Sequence, residues 1–288
     1  MIAVAFCADR NVEAALHVAA SSLLRNLNPT ETVRFYLLLT GFSEKHLQRL
    51  RDTLDRTGRE YELRLPQLPD TPMLREFRPL HGNLVPYHRL LLPEVVDEDR
   101  LLYLDSDTLT AIDISPLFSL PMADKATAFV VDSVVGKSMD CKYLVARGLR
   151  PTSPGFNSGV MLFNLEQWRK QRCTQRSLDL CRESFKHDQV VLNLLFSEDT
   201  CSLPAEYNIK LYPSTPIEGV APGIYHFLGS PKPWDIAGNR LVNSYALWHG
   251  YARHIVIKNN PWLSSRAWLR SFRILGSYRR ELEAQLSR

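Results

Sequence analysis

Short apolar runs alternate along this chain with segments in which apolar residues recur at helical spacing. The runs of strand length lie at 2–8, 34–40, 61–65, 100–105, 126–132 and 159–165, and the helical patterns lie at 11–27, 43–58, 166–184 and 187–196. Strands that alternate with helices are typical of a mainly parallel sheet flanked by helices. The pattern therefore predicts the α/β fold class.

Polar residues follow several of the predicted strands. Asp9 and Asn11 come after the first strand, Asp105 and Asp107 after the run LLYL, and Asp132 after the run AFVV. Ligands of such sheets bind beyond the carboxyl ends of the strands, so these side chains are candidate ligand contacts. The chain contains neither GxGxxG nor GxxxxGK[ST]. A Rossmann dehydrogenase and a P-loop NTPase are therefore disfavoured.

The segment LLYLDSDTLT, residues 101–110, places two carboxylates at the end of one strand. Asp105 and Asp107 repel each other unless water or a positive charge lies between them. Mn²⁺ or Mg²⁺ suits this position, because these ions bind hard oxygen ligands together with substrate phosphates. A loop in which either carboxylate accepts backbone N–H bonds is the alternative explanation.

Composition is that of an ordinary globular protein, with 45% hydrophobic and 23% charged residues. The five cysteines form no CxxC pair and no zinc-type Cys/His set, which favours a reducing compartment. The N-terminal apolar run stops at Asp9 and predicts a first strand rather than a secretory leader. No apolar stretch reaches the ~18 residues of a membrane-spanning helix. We expect a cytoplasmic protein, soluble or peripheral to a membrane.

Positive charge is concentrated near the end of the chain. Residues 251–288 hold eight basic and two acidic residues, a net +6, so the other 250 residues carry a net −2. This tail combines an apolar stripe with arginines on other faces: Trp268, Phe272, Leu275, Leu282 and Leu286, with Arg266, Arg270, Arg273 and Arg280. Such a helix is typical of an anchor on an anionic membrane surface, whereas packing of the stripe on the main domain is the alternative. We predict a main domain over 1–250 and a tail over 251–288.

Several motifs occur together in one order. Asp9 and Asn11 precede LLYLDSD, followed by PGFNSGVMLFNLEQW (154–168), HDQVVLN (187–193) and YHFLGSPKPW (225–234). This set resembles the family 8 glycosyltransferases, which include bacterial lipooligosaccharide galactosyl- and glucosyltransferases and glycogenin. The resemblance extends from Ile2 to about Trp234. It implies a GT-A nucleotide-sugar transferase fold for 1–250, a UDP-hexose donor, Mn²⁺ with Mg²⁺ as the alternative ion, and transfer that retains anomeric configuration.

The resemblance also implies a metal site. Asp105, Asp107 and His226 would be its protein ligands, and Lys232, near Gly229 in the same loop, would meet the diphosphate as a point charge. Bound metal would neutralise charge that builds on the departing UDP. Without the family, His226 would be interpreted as a packed core residue and Lys232 as a solvated surface lysine.

Other positions are implied to contact the nucleotide. Ala8, Asp9 and Asn11 would meet the uracil and ribose, although Asp9 or Asn11 could instead cap the following helix. Val12 occupies a place where many family members carry an aromatic residue that stacks on the base. By the same resemblance, Arg89 would contact the phosphate or the sugar of the donor, and His81 would contact the diphosphate. Pairing of Arg89 with Glu94 is the alternative.

The sugar pocket is implied to contain Ser106, Asn157, Asp188 and Gln189. For Asn157 the alternative is a simple turn, and for Asp188 a first-turn helix acid. Asp188 and Gln189 are the candidate catalytic residues. Gln189 is a feeble nucleophile, so we expect front-side attack in which a UDP phosphate oxygen accepts the proton. Asp132 would orient the acceptor or only close a turn, and Val190 replaces an acid found in some relatives.

The resulting hypothesis is a Mn²⁺-dependent hexosyltransferase that builds a bacterial surface glycolipid at the inner face of the cytoplasmic membrane. Its expected partners are a UDP-sugar, a glycolipid or oligosaccharide acceptor and an anionic membrane surface, and no nucleic acid. A nucleotide-sugar binding module without activity is the alternative, which Val12 and Val190 keep open. A metal-dependent phosphohydrolase is disfavoured, because its usual additional His and Asp clusters are missing.

Overall fold

The first half of the chain forms parallel strands joined by helices, as the periodicity predicts. The computed structural model describes residues 1–80, 83–215, 219–236, 238, 242, 245–257 and 265–286. The elements up to residue 64 are β1 (Ile2–Asp9), α1 (Glu13–Asn26), β2 (Val33–Thr40), α2 (Glu44–Asp55) and β3 (Tyr61–Arg64). β1 pairs with β2 in parallel along its whole length, from Ile2 opposite Val33 to Asp9 opposite Thr40.

The remaining elements are shorter and more irregular. The strands are β4 (Arg100–Leu104), β5 (Thr108–Thr110), β6 (Thr127–Phe129), β7 (Val131–Val134), β8 (Pro154–Phe156), β9 (Val160–Asn164), β10 (Cys201–Ser202), β11 (Ile209–Leu211) and β12 (Ile224–Phe227). The helices are α3 (Leu92–Val95), α4 (Cys141–Ala146), α5 (Leu165–Lys170), α6 (Cys173–Ser184), α7 (Asp188–Phe196), α8 (Ala246–Ala252), α9 (Ser265–Arg273) and α10 (Leu275–Leu286).

The main sheet has the strand order β10-β6-β9-β4-β1-β2-β3. Only β9 runs against its neighbours β4 and β6, so the sheet is mainly parallel, as expected. The chain winds outward from β1 to β3 and then returns to place β4 on the other side of β1. Ligands of parallel α/β sheets bind at such a reversal, which here lies beyond the carboxyl ends of β1 and β4. Asp9 and Asp105 both lie there.

Both faces of the sheet are covered, which explains the continuous apolar run of β1. Val4 and Phe6 contribute to one core cluster with α1 and α2. Ala5 and Cys7, which point to the opposite face, contribute to a second cluster with α6 and α7. Alternate residues of a strand point to opposite faces, so a strand buried on both sides has no polar alternation.

Within the main domain, the apolar run at 126–132 and the helical pattern at 166–184 differ from the sequence prediction. The apolar run at 126–132 is two strands, because β6 lies in the main sheet whereas β7 pairs with β8 in a separate two-stranded sheet with an irregular register at Val131 and Ser133. The helical pattern at 166–184 is also two helices. Arg172 between them has a φ of 53°, in the left-handed region, which ends α5 before α6 begins.

The tail contains two helices rather than one, and it contacts the main domain through polar side chains. Arg270 on α9 donates from Nε to Asp235 Oδ1 at 2.6 Å, and the Tyr278 hydroxyl of α10 donates to the carbonyl of Ile236. Five large apolar residues of the described part of the tail are exposed: Trp268 by 42%, Leu269 by 60%, Phe272 by 64%, Leu275 by 58% and Leu282 by 48%. Within the described ranges, no helix combines the length and apolar character needed to cross a bilayer.

Candidate active site

The two aspartates of LLYLDSD lie in the tight connection between β4 and β5. The backbone N–H of Asp105 donates to the Gly159 carbonyl at 2.8 Å, and that of Thr108 donates back to the Asp105 carbonyl at 3.1 Å. Asp105 Oδ1 accepts from the Tyr103 hydroxyl at 2.5 Å and from Arg89 at 3.0 Å. Its other oxygen, Oδ2, is left facing His226 at 3.7 Å.

His226 is brought to this connection by a strand pairing distant in sequence. β12 runs antiparallel to β5, with His226 opposite Thr108. The imidazole is 1% exposed, and its Nε2 lies 3.1 Å from Asp107 Oδ1. The alternative of a packed core histidine therefore describes the burial of His226 but not its polar surroundings.

These three side chains meet the requirements of a divalent metal site. One ligand atom from each of Asp105, Asp107 and His226 lies within 4.8 Å of the others. Two carboxylate oxygens and one imidazole nitrogen suit Mn²⁺ or Mg²⁺ better than a soft thiophilic ion. The space is kept open by Gly159, where a Cβ would lie 2.0 Å from His226 Cε1 and 2.7 Å from Asp105 Oδ2. The residues present therefore fit a metal ion.

Lys232 supplies positive charge beside the same cluster. Its ammonium lies 2.7 Å from Asp107 Oδ2, and its side chain is 16% exposed. Burial alone would raise the pKa of Asp107, but Lys232 and His226 hold that pKa well below its usual range. Gly229 turns the preceding loop with a φ of +74°, a backbone conformation that glycine adopts without strain. Lys232 is thus held at the cluster rather than extended into solvent.

Arg89 lies between the aspartates and the predicted sugar pocket. Its guanidinium is 5% exposed, donates to Asp105 Oδ1 at 3.0 Å and to the Ser158 carbonyl at 2.8 Å, and lies 2.9 Å from Asp188 Oδ2. Burial opposes its charge, but Asp105 in particular raises the pKa of Arg89 above the usual arginine value. Arg89 therefore pairs with site carboxylates and not with a surface acid.

Asp188 begins α7 and is 2% exposed. Burial raises its pKa, and Arg89 only partly offsets this effect. The Arg89 Nε–H is aligned with the Pro86 carbonyl instead. Asp188 Oδ2 consequently has no aligned hydrogen-bond donor among the described residues. Such a buried acceptor is costly unless a ligand hydroxyl satisfies it.

Asn157 and Gln189 are hydrogen-bonded to each other beside this carboxylate. Asn157 Nδ2 donates to Gln189 Oε1 at 3.0 Å, and the backbone N–H of Ser158 donates to the same oxygen at 3.3 Å. Asn157 Oδ1 accepts from the Gly159 N–H at 3.0 Å, which is an Asx turn. The turn and the contact with Gln189 therefore occur together.

The end of β1 carries the predicted nucleotide contacts. Asp9 Oδ1 accepts from the Asn11 N–H at 2.8 Å, so Asp9 caps the 3₁₀ turn Arg10–Val12. Its Oδ2 accepts from Asn11 Nδ2 at 2.9 Å and from Asn83 Nδ2 at 2.5 Å. The capping alternative therefore describes Asp9, whereas the Asn11 side chain bonds Asp9 and does not cap α1. Val12 packs against the core and does not offer a stacking surface.

Three further predicted positions differ in what they present. Ala8 is 1% exposed and its methyl group belongs to the core, so only its backbone is available to a ligand. Ser106 is buried and its hydroxyl donates to the Cys7 carbonyl at 3.4 Å, which ties the two strand ends together. His81 lies outside the described residues.

Asp132 is paired rather than free. Its Oδ2 lies 2.7 Å from the ammonium of Lys210, and the two side chains are 22% and 27% exposed respectively. Lys210 is the direct neighbour of His226 in the parallel pairing of β11 and β12. Lys210 therefore links Asp132, the candidate acceptor contact, to the strand that carries His226.

Sequence reasoning missed several residues of the site. Tyr103 was detectable, because it lies in β4 two residues before Asp105 and so points to the same side of the extended chain. Asn208 was not, because its contact with His226 spans 18 residues and no local pattern marks it. Asn83, Gly159 and Lys210 likewise depend on neighbours that only the folded chain brings together.

The structure brings together a mainly parallel α/β sheet and, at its reversal point, an Asp-x-Asp pair, a histidine and a lysine, the arrangement that the resemblance to glycosyltransferases implies. The chain belongs to glycosyl transferase family 8, whose sequence model matches residues 3–237. The resemblance recognised from the motifs and the expected transferase activity are thereby confirmed.

Several proteins of similar sequence come from bacteria. It is 28% identical to General stress protein A of Bacillus subtilis (strain 168), over 80% of this chain and 86% of that protein. It is 26% identical to a lipopolysaccharide 1,2-glucosyltransferase of Escherichia coli, over 82% and 74% of the two chains. The galactosyltransferase LgtC, solved with donor and acceptor sugar analogues, superimposes with a TM-score of 0.73 at 24% identity and covers 91% of this chain and 99% of its own. This likeness confirms the GT-A fold.

Proposed function

We propose that this glycosyltransferase transfers a hexose from UDP-glucose or UDP-galactose to a saccharide or glycolipid acceptor in lipopolysaccharide or lipooligosaccharide biosynthesis, with retention of anomeric configuration and in dependence on Mn²⁺. The observation that carries the proposal is the cluster of Asp105, Asp107, His226 and Lys232 at the sheet reversal. The similarity to a lipopolysaccharide 1,2-glucosyltransferase supports the acceptor class.

Asp105, Asp107 and His226 would hold the metal, with Asp105 Oδ2 and His226 Nε2 as the atoms that face it. When bound, Mn²⁺ or Mg²⁺ would supply Lewis-acid stabilisation of the diphosphate charge. Asp105 can serve as a ligand through Oδ2 because Tyr103 and Arg89 already fix Oδ1. Lys232, within 2.7 Å of a ligand carboxylate, would bind the diphosphate directly.

Asp188 and Gln189 would bind the donor hexose. Asp188 Oδ2, buried without an aligned donor, would accept a sugar hydroxyl. Gln189 Oε1 already accepts from Asn157 and from the Ser158 N–H, so the group that Gln189 can offer a ligand is its NH₂. An amide whose oxygen is occupied is unsuited to nucleophilic attack. This supports front-side transfer, in which the acceptor proton passes to a phosphate oxygen of the leaving UDP.

Asp132 would orient the acceptor together with Lys210. The pair presents a carboxylate and an ammonium 2.7 Å apart, which suits vicinal sugar hydroxyls that both donate and accept hydrogen bonds. Asp132 would therefore act as part of a dipolar pair and not as an isolated anion.

The tail would hold the enzyme on an anionic membrane surface. Trp268, Phe272 and Leu275 are exposed by 42% to 64%, and Arg273, Arg279 and Arg280 are exposed on the same two helices. Apolar side chains that face outward beside arginines have the composition of an interfacial helix. We place the reaction at the inner face of the cytoplasmic membrane, where a glycolipid acceptor and the UDP-sugar meet.

The function is tested by incubating the protein with UDP-glucose or UDP-galactose and Mn²⁺ and measuring UDP release with and without a lipooligosaccharide acceptor. We expect acceptor-stimulated release that chelation abolishes, and an α-linked product by NMR. Asp107→Asn should lose Mn²⁺-dependent release while remaining folded. Asp97→Asn, at an exposed position, is the matched control and should match wild type. Absence of release from folded protein with either sugar would favour the inactive binding module.

A further inference from the structure

A chain of side-chain amides connects the metal cluster to the sugar pocket. His226 Nδ1 lies 3.2 Å from Asn208 Oδ1, Asn208 Nδ2 donates to Asn157 Oδ1 at 3.2 Å, and Asn157 Nδ2 donates to Gln189 Oε1 at 3.0 Å. His226 is 1% exposed and Asn208 is 3% exposed. Water therefore cannot substitute freely for either partner.

Two backbone N–H groups fix the direction of every hydrogen bond in this series of side chains. The Gly159 N–H donates to Asn157 at 3.0 Å and the Ser158 N–H donates to Gln189 at 3.3 Å. A backbone N–H can only donate, so the atoms that receive these bonds are the amide oxygens of Asn157 and Gln189. Nδ2 of Asn157 then faces Gln189.

The same logic fixes Asn208 and His226. Because Asn157 presents an oxygen to Asn208, Asn208 must present its NH₂ in return, and its Oδ1 then faces His226 Nδ1. An amide oxygen accepts only, so His226 Nδ1 carries a hydrogen. The coordinating lone pair of the neutral ring is then on Nε2, the atom that faces Asp107 and Asp105. A histidine that binds metal through one nitrogen depends on a partner for the other in this way.

We infer that Asn208 is a positioning residue that orients His226 for metal binding. Through Asn157 it also fixes the position of the sugar pocket relative to the metal ligands. This inference rests on the proposed metal-dependent function. Asn208 touches neither the metal position nor the reacting atoms. Its effect passes through the Nδ1 side of the His226 ring and through the Asn157 amide.

Two variants separate these two effects. Asn208→Leu removes the hydrogen bonds to His226 and to Asn157 at similar volume. We expect Mn²⁺ affinity, measured by calorimetry, to fall about 10- to 100-fold, the usual effect of removing such a partner. Asn208→Asp keeps an oxygen for His226 Nδ1 but repels Asn157 Oδ1. We expect it to retain Mn²⁺ affinity close to that of wild type while kcat with UDP-sugar falls.

Asn193→Leu is the matched control. Asn193 is a buried amide, 7% exposed, that bonds the backbone of Phe156 at the end of β8 and donates to the backbone carbonyl of Gln189. Its replacement should lower the free energy of unfolding without changing Mn²⁺ affinity. Equal Mn²⁺ affinities of wild type and Asn208→Leu would overturn the inference, as would equal losses in Asn208→Leu and Asn193→Leu.

A second measurement needs no variant at position 208. ¹⁵N NMR of protein labelled at its eight histidines, with His226 assigned through its absence in His226→Gln, should show a protected Nδ1–H both without metal and with Mg²⁺. A His226 without a proton on Nδ1 would overturn the inference even if UDP release is normal. Conversely, a wild type that binds Mn²⁺ with a protected Nδ1–H but releases no UDP would refute the proposed function and leave the role of Asn208 intact.

Discussion

Arg89 is the positive charge that allows two carboxylates to share the interior of the site. It contacts Asp105 and Asp188, packs with its guanidinium carbon 4.5 Å from the centre of the Tyr103 ring, and is almost fully buried. A lysine could supply the charge but not the several directed N–H donors that reach these groups at once. Arg89 therefore stabilises the fold and also fixes the carboxylates of Asp105 and Asp188 in the candidate site.

Arg89→Met should be strongly destabilising, because it leaves two carboxylates without their buried partner. We expect the free energy of unfolding in urea to fall by about 3–5 kcal/mol. Adding Asp188→Asn should recover part of the loss. Arg182→Met, which breaks a half-exposed i,i+3 pair with Asp179, should cost ~1 kcal/mol or less. Comparable losses in the two single variants would contradict this account of Arg89.

At this scale the sequence predicted residues whose roles follow from type and position after a strand. Asp105 and Asp107 belong to that class, and the motif order added His226 and Lys232. The partners of those residues were not predictable. Asn208 and Lys210 reach His226 of β12 only in the folded chain. In the sequence, nothing distinguishes Asn208 from a surface asparagine.

At the scale of elements, Gly159 allows the start of β9 to lie close to His226 of β12, because it has no side chain. Gly159→Ala would place a methyl group against the His226 ring, with 2.0 Å between Cβ and Cε1. The ring must move, so we expect Mn²⁺-dependent UDP binding to be lost. Gly250→Ala is the control, since its Cβ meets nothing within 4 Å. In α8 it should stabilise the fold by about 1 kcal/mol. Wild-type Mn²⁺ binding in Gly159→Ala would refute this role.

The packing of α1 on α2 introduces a sensitivity to acid. His17 on α1 is fully buried, and its Nδ1 lies 2.8 Å from the Thr53 hydroxyl on α2. Burial, with a smaller contribution from Arg49, lowers the pKa of His17 to about 3, so between that value and about 6.5 only the unfolded chain takes up the proton. Stability from this group is present above pH ~6.5 and is lost as pH falls, at up to ~1.4 kcal/mol per pH unit.

His17→Gln should therefore flatten the dependence of the free energy of unfolding on pH between about 6.5 and 4. Urea titrations at several pH values measure this slope. His254→Gln, at an exposed position in the tail, is the matched control and should leave the slope as in wild type. An unchanged slope in His17→Gln would show that another group carries the acid sensitivity.

Element prediction followed the same physical division. α1, α2 and the first three strands were predicted because each buries a regular face or is buried on both. The run at 126–132 was misjudged because its residues leave one sheet for another within a single apolar stretch. The break between α5 and α6 depends on the left-handed backbone at Arg172, a conformation that arginine type does not signal.

At the scale of the whole molecule, the described part of the tail concentrates exposed aromatic and aliphatic residues beside arginines. Replacing Leu269, Phe272 and Leu275, exposed by 58% to 64%, by serine should greatly reduce cosedimentation with vesicles that contain phosphatidylglycerol. Leu65→Ser, at a position 41% exposed on the main domain, is the control. Binding of the triple variant at the wild-type level would refute the membrane role of the tail.

Asp235 gives the tail a second significance. One oxygen of this buried carboxylate accepts from Arg270 of α9, and the other accepts from the backbone N–H of Lys232 at 2.7 Å. Asp235 thus joins the loop that carries Lys232, the proposed diphosphate contact, to the helix that would meet the lipid. Binding of the tail to a bilayer would then alter the position of Lys232 and with it the affinity for UDP-sugar. Comparing that affinity with and without vesicles would measure the coupling.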